Sequence, residues 1–369
     1  MDANRSAPET DSQSSAYSSA SSRAEMKQSR EQDIRSICHL VASREHGEME
    51  QHVADLSRWQ ALNTDARISV IAHPRYRYTL HERVKFIPLN TDRSRHHPTL
   101  VWRLANHIRA GEYQIAHGHG SKSAQLLAAV QKYTEAQQVI TRHNVRHPRD
   151  KLASAFSARI AVSRSTVANS RLDWNIIPNG VDVSAKDSEA SPEVRLHAAP
   201  RILVATRLLR LKGMDALLGA LAKLPEIHLT VIGDGPDKVE LKRLSEKLGL
   251  TDRVNFVGYT DEIAAFIRAA DLLLIPSPGE TTLYTLIEAL LNRCPVASAH
   301  STYAEEYIPP DYLLNNLEPE HLAEKLAFAL RDGNKLLCDF APVFARAANE
   351  LTLEQMARST WQVYQKLQP

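Results

Sequence analysis

Two carboxylates, Glu280 and Glu288, stand eight positions apart in the stretch Ile275-Pro-Ser-Pro-Gly-Glu-Thr-Thr-Leu-Tyr-Thr-Leu-Ile-Glu288. If the span is helical, at about 1.5 Å per residue they lie roughly 12 Å apart, the reach from a sugar to the ribose of a nucleotide-sugar. The same pair also fits a blander pattern, with Glu280 a first-turn acid favoured by the helix dipole and Glu288 a solvated helix residue. A second group is cationic: Arg207 and Lys212, with Gly213 behind them, follow the apolar run Arg201-Ile-Leu-Val-Ala205. Two cations just past the end of a strand can neutralise a diphosphate, or can be solvated loop residues. A third group is imidazole: His117-Gly118-His119-Gly120 and His143 each follow a strand-like run. Either can act as a polar donor or proton carrier, or can be a turn histidine satisfied by backbone. The H-x-H pair and His96-His97 have the look of metal ligands, but no acidic partner stands at a sensible spacing, so no metal is expected.

The elements that must position these groups alternate in type. Strands are predicted at 34–41, 67–71, 84–88, 113–117, 138–141 and 157–162. Helices are predicted from the loop at 44–52 to about Asn63, over 99–110 with Leu100, Leu104 and Ile108 on one face, and from about Ser121 to Gln131 after a Gly-rich turn. The second half repeats the scheme: strands at 201–205, 227–232, 254–257, 271–275 and 295–298, and helices at 214–224, 238–248, 262–270 and from Thr281 or Thr282 as N-cap. The tail is helical, ending with 353–367. Strands alternating with helices mean parallel sheets with right-handed crossovers, hence an α/β fold. The expected division is a Ser-rich disordered extension at 1–33, a first domain at 34–175, a linker at 176–200, a second domain at 201–352, and a last helix at 353–369 packing back on the first domain.

Composition narrows the class. Hydrophobic residues make up 43% and charged residues 24% of 369 positions, ordinary for a soluble globular protein. No apolar run approaches 18 residues and no apolar h-region opens the chain, so neither a transmembrane helix nor a secretory signal is expected. Cys38, Cys294 and Cys338 are far apart and odd in number, which fits a reducing cytosol. Residues 34–175 hold 21 Lys+Arg against 11 Asp+Glu, net +10, whereas 176–369 hold 20 against 26, net −6. Arg142, Arg146, Arg149 and Lys151 form one basic stretch, and Arg75, Arg77, Arg83 and Lys85 another. An anionic membrane surface or phosphorylated glycolipid suits such a half. Nucleic acid is not expected, because no binding motif accompanies the charge. No G-x-G-x-x-G follows the first strand of either half and no G-x-x-x-x-G-K-[ST] occurs, which lowers dehydrogenase and P-loop readings.

Together the motifs resemble the retaining GT-B glycosyltransferases of family 4. The resemblance rests on Arg207-Leu-Leu-Arg-Leu-Lys-Gly213, Val231-Ile-Gly-Asp-Gly-Pro236, Asp252-Arg-Val-Asn-Phe-Val-Gly258, Ala269-Ala-Asp-Leu-Leu-Leu-Ile-Pro-Ser277 and the Glu280-x7-Glu288 pair. The first half adds Gly47-Glu-Met-Glu-Gln-His-Val53, His117-Gly-His119, Ala161-Val-Ser163 and Ile177-Pro-Asn-Gly-Val-Asp182. It implies two Rossmann-like domains facing a central cleft, and transfer of a hexose or N-acetylhexosamine from a UDP-sugar to a cell-surface glycan or glycolipid such as lipopolysaccharide, on the cytoplasmic face. Carried over, Arg207 and Lys212 bind the diphosphate without a metal or other cofactor, Glu280 faces the transferred sugar and Glu288 holds the ribose. Gly235 and the backbone of Val257, Gly258 and Tyr259 belong to the donor site, the last three beside the base. The N–H groups of Thr282, Leu283 and Tyr284 cap the phosphates. His119 lies near the sugar, with Gly47, Glu48 and His143 on the acceptor side.

The chain departs from the pattern in three places. Gly47-Glu48 replaces a Gly-Gly, Thr281-Thr282-Leu283 replaces Gly-Phe-Gly, and Thr302-Tyr303 replaces a later Gly-Gly, while Glu306 falls where the family carries a Glu. These leave two rivals: an epimerase or hydrolase of nucleotide-sugars on the same fold, and a non-catalytic glycan or nucleotide-sugar binding subunit.

Overall fold

Among the described residues, thirteen parallel strands form two sheets. The computed structural model describes residues 34–43, 47–144, 149–182, 199–209, 212–277, 283–301 and 303–367. The expected extension 1–33, most of the linker, Arg146, the turn with Glu280 and the proposed caps Thr281 and Thr282, and Thr302 lie outside the described residues. The first sheet holds β1 (Ser36–Val41), β2 (Arg67–Ala72), β3 (Lys85–Pro88), β4 (Ile115–His119), β5 (Gln137–Arg142), β6 (Ala158–Ala161) and β7 (Asn175–Ile176), in the order β3-β2-β1-β4-β5-β6-β7. The second holds β8 (Arg201–Ala205), β9 (His228–Ile232), β10 (Val254–Gly258), β11 (Leu272–Ile275), β12 (Val296–Ala299) and β13 (Leu313–Leu314), in the order β10-β9-β8-β11-β12-β13. In both sheets the strand order reverses beside the first strand, between β1 and β4 and between β8 and β11. At such a switch point the loops leaving the strands' C-terminal ends diverge and open a crevice.

The strands read as apolar runs because both faces are covered. Leu272, Leu273, Leu274 and Ile275 are all buried within one core that also takes in Leu217, Ile287 and Leu290. In the first half, helix α1 (Glu48–Asn63) buries His52, Val53, Leu56 and Gln60 against the sheet. Helix α2 (Pro98–Ala110) buries Leu100, Leu104 and Ile108, the predicted face. Helix α3 (Gly120–Val130) buries Leu126, Leu127 and Val130.

The second-half helices are α4 (Met214–Leu221), α5 (Lys238–Lys247), α6 (Ile263–Ala269) and α7 (Leu283–Leu291), followed by α8 (Pro319–Leu330), α9 (Gly333–Glu350) and α10 (Leu353–Gln365). The chain crosses between the halves twice at one place, where Val181 and Thr352 form a parallel bridge. Thr352 then caps α10, its hydroxyl accepting from Gln355 N–H at 3.2 Å. Met356, Ala357, Val363 and Tyr364 of α10 share a core with Ile37, Leu56 and Ile115 of the first half.

The Gly-rich turn expected after His117 does not form. The strand runs on through His119, and α3 starts at Gly120. Gly118 lies against α3: a Cβ at this position would sit 2.8 Å from Leu127 Cδ1, so a larger residue would make that side chain shift.

Candidate functional site

A cavity of about 690 Å³ opens between the halves. From the first half it is lined by Gly47, Glu48, Glu50 and Gln51 at the start of α1 and Arg58 further along it, and from the second by Asp261, Tyr284 and Glu288. Val181 and Asp182, at the crossing, complete the wall. Among the predicted residues it therefore unites Gly47, Glu48, Tyr284 and Glu288. Glu280 and Thr282 lie outside the described residues, and Leu283 opens α7.

Each wall is set by local structure. At the N-terminus of α1, Gly47 is the cap and its N–H donates to Glu50 Oε2 at 3.0 Å, which fixes the first turn that presents Glu48. On α7, Tyr284 and Glu288 are four positions apart and so lie on one face. Glu288 is only 8% exposed. The Tyr284 hydroxyl has no hydrogen-bond partner among the described residues. Burial, then Asp55, Glu48 and Glu288, hold this phenol well above its ordinary pKa, so it keeps its proton and stands as a donor on the cavity wall.

The lining is acidic. Among the described residues, Glu48, Glu50, Asp55, Asp182, Asp261 and Glu288 line it against one cation, Arg58, which bonds Asp182 at 3.0 Å and approaches Asp55 at 3.7 Å. The Glu48 that replaces a glycine of the pattern is therefore one of several carboxylates here.

Arg207 and Lys212 lie outside this lining set, on the loop after β8 at the second sheet's switch point. Arg207 is exposed and Lys212 half-buried. Gly213 closes their loop with φ at +70°, and a Cβ on it would sit 2.4 Å from the Pro276 carbonyl oxygen. The loop after β8 thus touches the loop after β11, which runs on to Glu280. Gly235 follows β9, its N–H donating to Asp234 Oδ1 at 2.7 Å. Val257 and Gly258 end β10, and Tyr259 is 79% exposed. The Tyr259 hydroxyl donates to Asp261 Oδ1 at 2.7 Å, which ties this edge to the cavity wall.

His119 does not present its ring to the cavity: it is 1% exposed, and its two nitrogens face His39 Nδ1 at 3.1 Å and His143 Nε2 at 3.4 Å. Sequence reasoning missed its two other neighbours, His39 on β1 and His52 on α1. The signal was an ionisable residue inside the apolar run Ser-Ile-Cys-His39-Leu-Val, in register with His117 across the sheet. Burial lowers His39 and His52 to about 4. Burial first, and neighbouring imidazoles second, hold His117, His119 and His143 well below the usual imidazole value. All five rings are therefore neutral near pH 7.

Of the basic stretches, Arg142 is not a surface cation. It is 4% exposed, donates from Nε to the Asn144 carbonyl at 3.0 Å and stacks over Trp174 at 5.7 Å. Arg75, Arg77, Arg83 and Lys85 are exposed on the edge of the first sheet. No helix among the described residues is long and apolar enough to cross a membrane.

Comparison with known proteins places this geometry. Residues 187–341 match the family described as Glycosyl transferases group 1. The second half thus carries a glycosyltransferase group 1 domain, and the two parallel-sheet units have the GT-B architecture. A lipopolysaccharide core biosynthesis glycosyltransferase of Rhizobium meliloti (strain 1021) is 28% identical over 164 residues, 44% of this chain and 42% of that protein. A sulfoquinovosyl transferase of Arabidopsis thaliana is 26% identical over 193 residues, 49% of this chain and 37% of that protein. These matches span less than half the length of either relative. Among solved structures, a glycosyltransferase from Rickettsia africae ESF-5 has a TM-score of 0.78 at 18% identity, over 91% of this chain and 99% of that one. The Anabaena protein HepE in complex with UDP and glucose has a TM-score of 0.72 at 20% identity, over 89% of this chain and 98% of that one.

Proposed function

We propose that the protein is a retaining glycosyltransferase of the family 4 kind. It moves a hexose or N-acetylhexosamine from a UDP-sugar to a cell-surface glycan or glycolipid acceptor such as lipopolysaccharide. The observation that carries the reading is the meeting, at the second sheet's switch point, of the Arg207–Gly213 loop with the loop that leads to α7 and Glu288. The donor lies along this edge. Arg207 and Lys212 neutralise the diphosphate as it leaves, so the leaving group needs no proton. Glu288 accepts from the ribose hydroxyls and the Tyr284 phenol donates beside it. The backbone from Val257 to Tyr259 borders the base, and Glu280 faces the transferred sugar. That solved structures of this fold include one with UDP and glucose favours UDP as the nucleotide.

The acceptor enters from the α1 side. The carboxylates of Glu48, Asp55 and Asp182 suit sugar hydroxyls or an amino sugar and repel a phosphate, so the acceptor's reacting end is uncharged or cationic. His119 takes no direct part: buried behind α1, it positions His143 and the acceptor wall. Retention follows a front-face path through a short-lived ion pair between the sugar and the leaving diphosphate. The exposed cations Arg75, Arg77, Arg83 and Lys85 hold the enzyme against the anionic inner face of the membrane.

The test is product analysis with a panel of UDP-sugars and lipopolysaccharide-type acceptors. Acceptor-dependent UDP release with an α-linked product from an α-donor supports the reading. UDP or free sugar released equally without acceptor, or an epimerised donor, overturns it.

A further inference from the structure

We infer that His52, His119 and His143 form a three-histidine site for a divalent first-row cation, zinc foremost, buried behind the acceptor wall. One ring nitrogen from each lies within 4.8 Å of the other two. The three come from three rigid elements: His52 from α1, His119 from the end of β4 and His143 from just past β5.

The outer hydrogen bonds set the tautomers. His39 Nε2–H donates to Gln60 Oε1 at 2.8 Å, which leaves His39 Nδ1 as an acceptor. His119 Nε2–H donates to that nitrogen at 3.1 Å, which leaves His119 Nδ1 with its lone pair toward His143. His52 Nδ1–H donates to the buried Asn179 Oδ1 at 2.9 Å, which leaves His52 Nε2 with its lone pair. Gln60–His39 and Asn179 thus stand where outer-shell partners orient metal-binding imidazoles.

The remaining contact, His143 Nε2 to His119 Nδ1, is 3.4 Å, long for a hydrogen bond. It is close to the separation of about 3.3 Å between ligands on one tetrahedral zinc with bonds near 2.0–2.1 Å. Three histidines leave a fourth position open, and His143 is the half-buried member of the three.

A second triplet, His39, His117 and His119, is equally close, but its nitrogens are taken. His117 Nδ1 meets the Tyr364 hydroxyl and Nε2 the Thr141 hydroxyl, and both nitrogens of His39 are bonded. The H-x-H pair is therefore not the site: only its second histidine is a ligand. The ion would pin α1, and with it Gly47 and Glu48, to the ends of β4 and β5.

The test uses tag-free full-length protein stripped with chelator. Zn2+ is titrated against a chromogenic competitor, and Co2+ is added separately for its visible spectrum. The expected result is one Zn2+ per chain, a rise in melting temperature with zinc, and cobalt bands of a low-coordinate nitrogen site. His143→Ala should weaken zinc by tenfold or more, Asn179→Ala by about 10–100-fold, and His96→Ala not at all. If His143→Ala fails to fold, the cobalt spectrum of the wild type decides. No stoichiometric zinc, a hydrated six-coordinate cobalt spectrum, or unchanged affinity in a folded His143→Ala overturns the site.

Discussion

The Ser165 backbone N–H donates to Glu306 Oε1 at 3.0 Å, a bond between the two halves of the molecule. The Glu306 carbonyl in turn accepts from Arg346 Nη1 at 2.6 Å. The glutamate that falls at the pattern's position thus holds the second half to the first. A hydrogen bond to a charged group contributes about 1.5–3 kcal/mol, the lower end applying to this partly buried contact. Glu306→Ala should lower the melting temperature by a few degrees, and Glu306→Gln, whose amide oxygen still accepts, by less. Equal melting of all three proteins would show that the contact is not formed in solution.

The cations after β8 are expected to act on the leaving diphosphate. Arg207→Ala and Lys212→Ala should each lower turnover by roughly 10²–10³, the cost of removing one preorganised donor of transition-state charge. Arg207 is exposed, so its loss should leave the melting temperature unchanged. Steady-state kinetics beside thermal melts separates the two effects, and a stability loss matching the activity loss would contradict the assignment.

Gly213 is expected to be irreplaceable. Alanine there takes on a left-handed backbone and a Cβ 2.4 Å from the Pro276 oxygen, so the loop must shift. Gly213→Ala should cost about 1–3 kcal/mol and weaken donor binding, because Arg207 and Lys212 share that loop. Urea melts and calorimetric donor titration read both, and a variant with native stability and affinity would show the contact to be unimportant.

The three cysteines should differ in reactivity. Cys38 and Cys294 are buried, and burial pushes the Cys38 thiol far up and that of Cys294 to about 12, so neither ionises in the native state. Cys338 is exposed. A thiol reagent at pH 8 should label one cysteine quickly in native protein and three in denaturant. Fast labelling of a second native thiol would contradict the burial.

Acid should destabilise the metal-free protein before its carboxylates titrate. His39 and His52 are lowered to about 4 in the folded chain, against about 6.5 when unfolded. Their neutral forms therefore stabilise the fold fully above about pH 6.5. That contribution is lost as pH falls toward 4, where the unfolded chain takes up more protons. The melting temperature should drop from pH 7.5 to about pH 5. A flat profile would place these rings in contact with water.

Much of the fold was legible in the sequence because parallel strands buried on both faces leave apolar runs with clear ends. Asp271–Ile275 before Pro276 and Arg201–Ala205 before the Arg207 loop are examples. The two-residue strands β7 and β13 were not, since two residues carry no periodicity. The turn expected at His117–Gly120 did not form because the strand runs on through His119, and the chain turns into the helix at Gly120, whose φ is +77°. Gly47, Glu48, Tyr284 and Glu288 were expected at one cleft and line one cavity. Of the histidine cluster, His117, His119 and His143 were picked out at strand ends, but His39 and His52 were hidden because they come from β1 and α1. Separation along the chain conceals what the parallel register brings side by side.

The most direct test of the central claim is a thermal-shift panel of UDP-, GDP- and ADP-sugars on the wild type, Lys212→Ala and Glu288→Ala. The account predicts stabilisation by the UDP series, abolished in Lys212→Ala and reduced in Glu288→Ala for UDP as well as for UDP-sugars. No shift of the wild type by any nucleotide-sugar, or a shift unchanged by both substitutions, would contradict it.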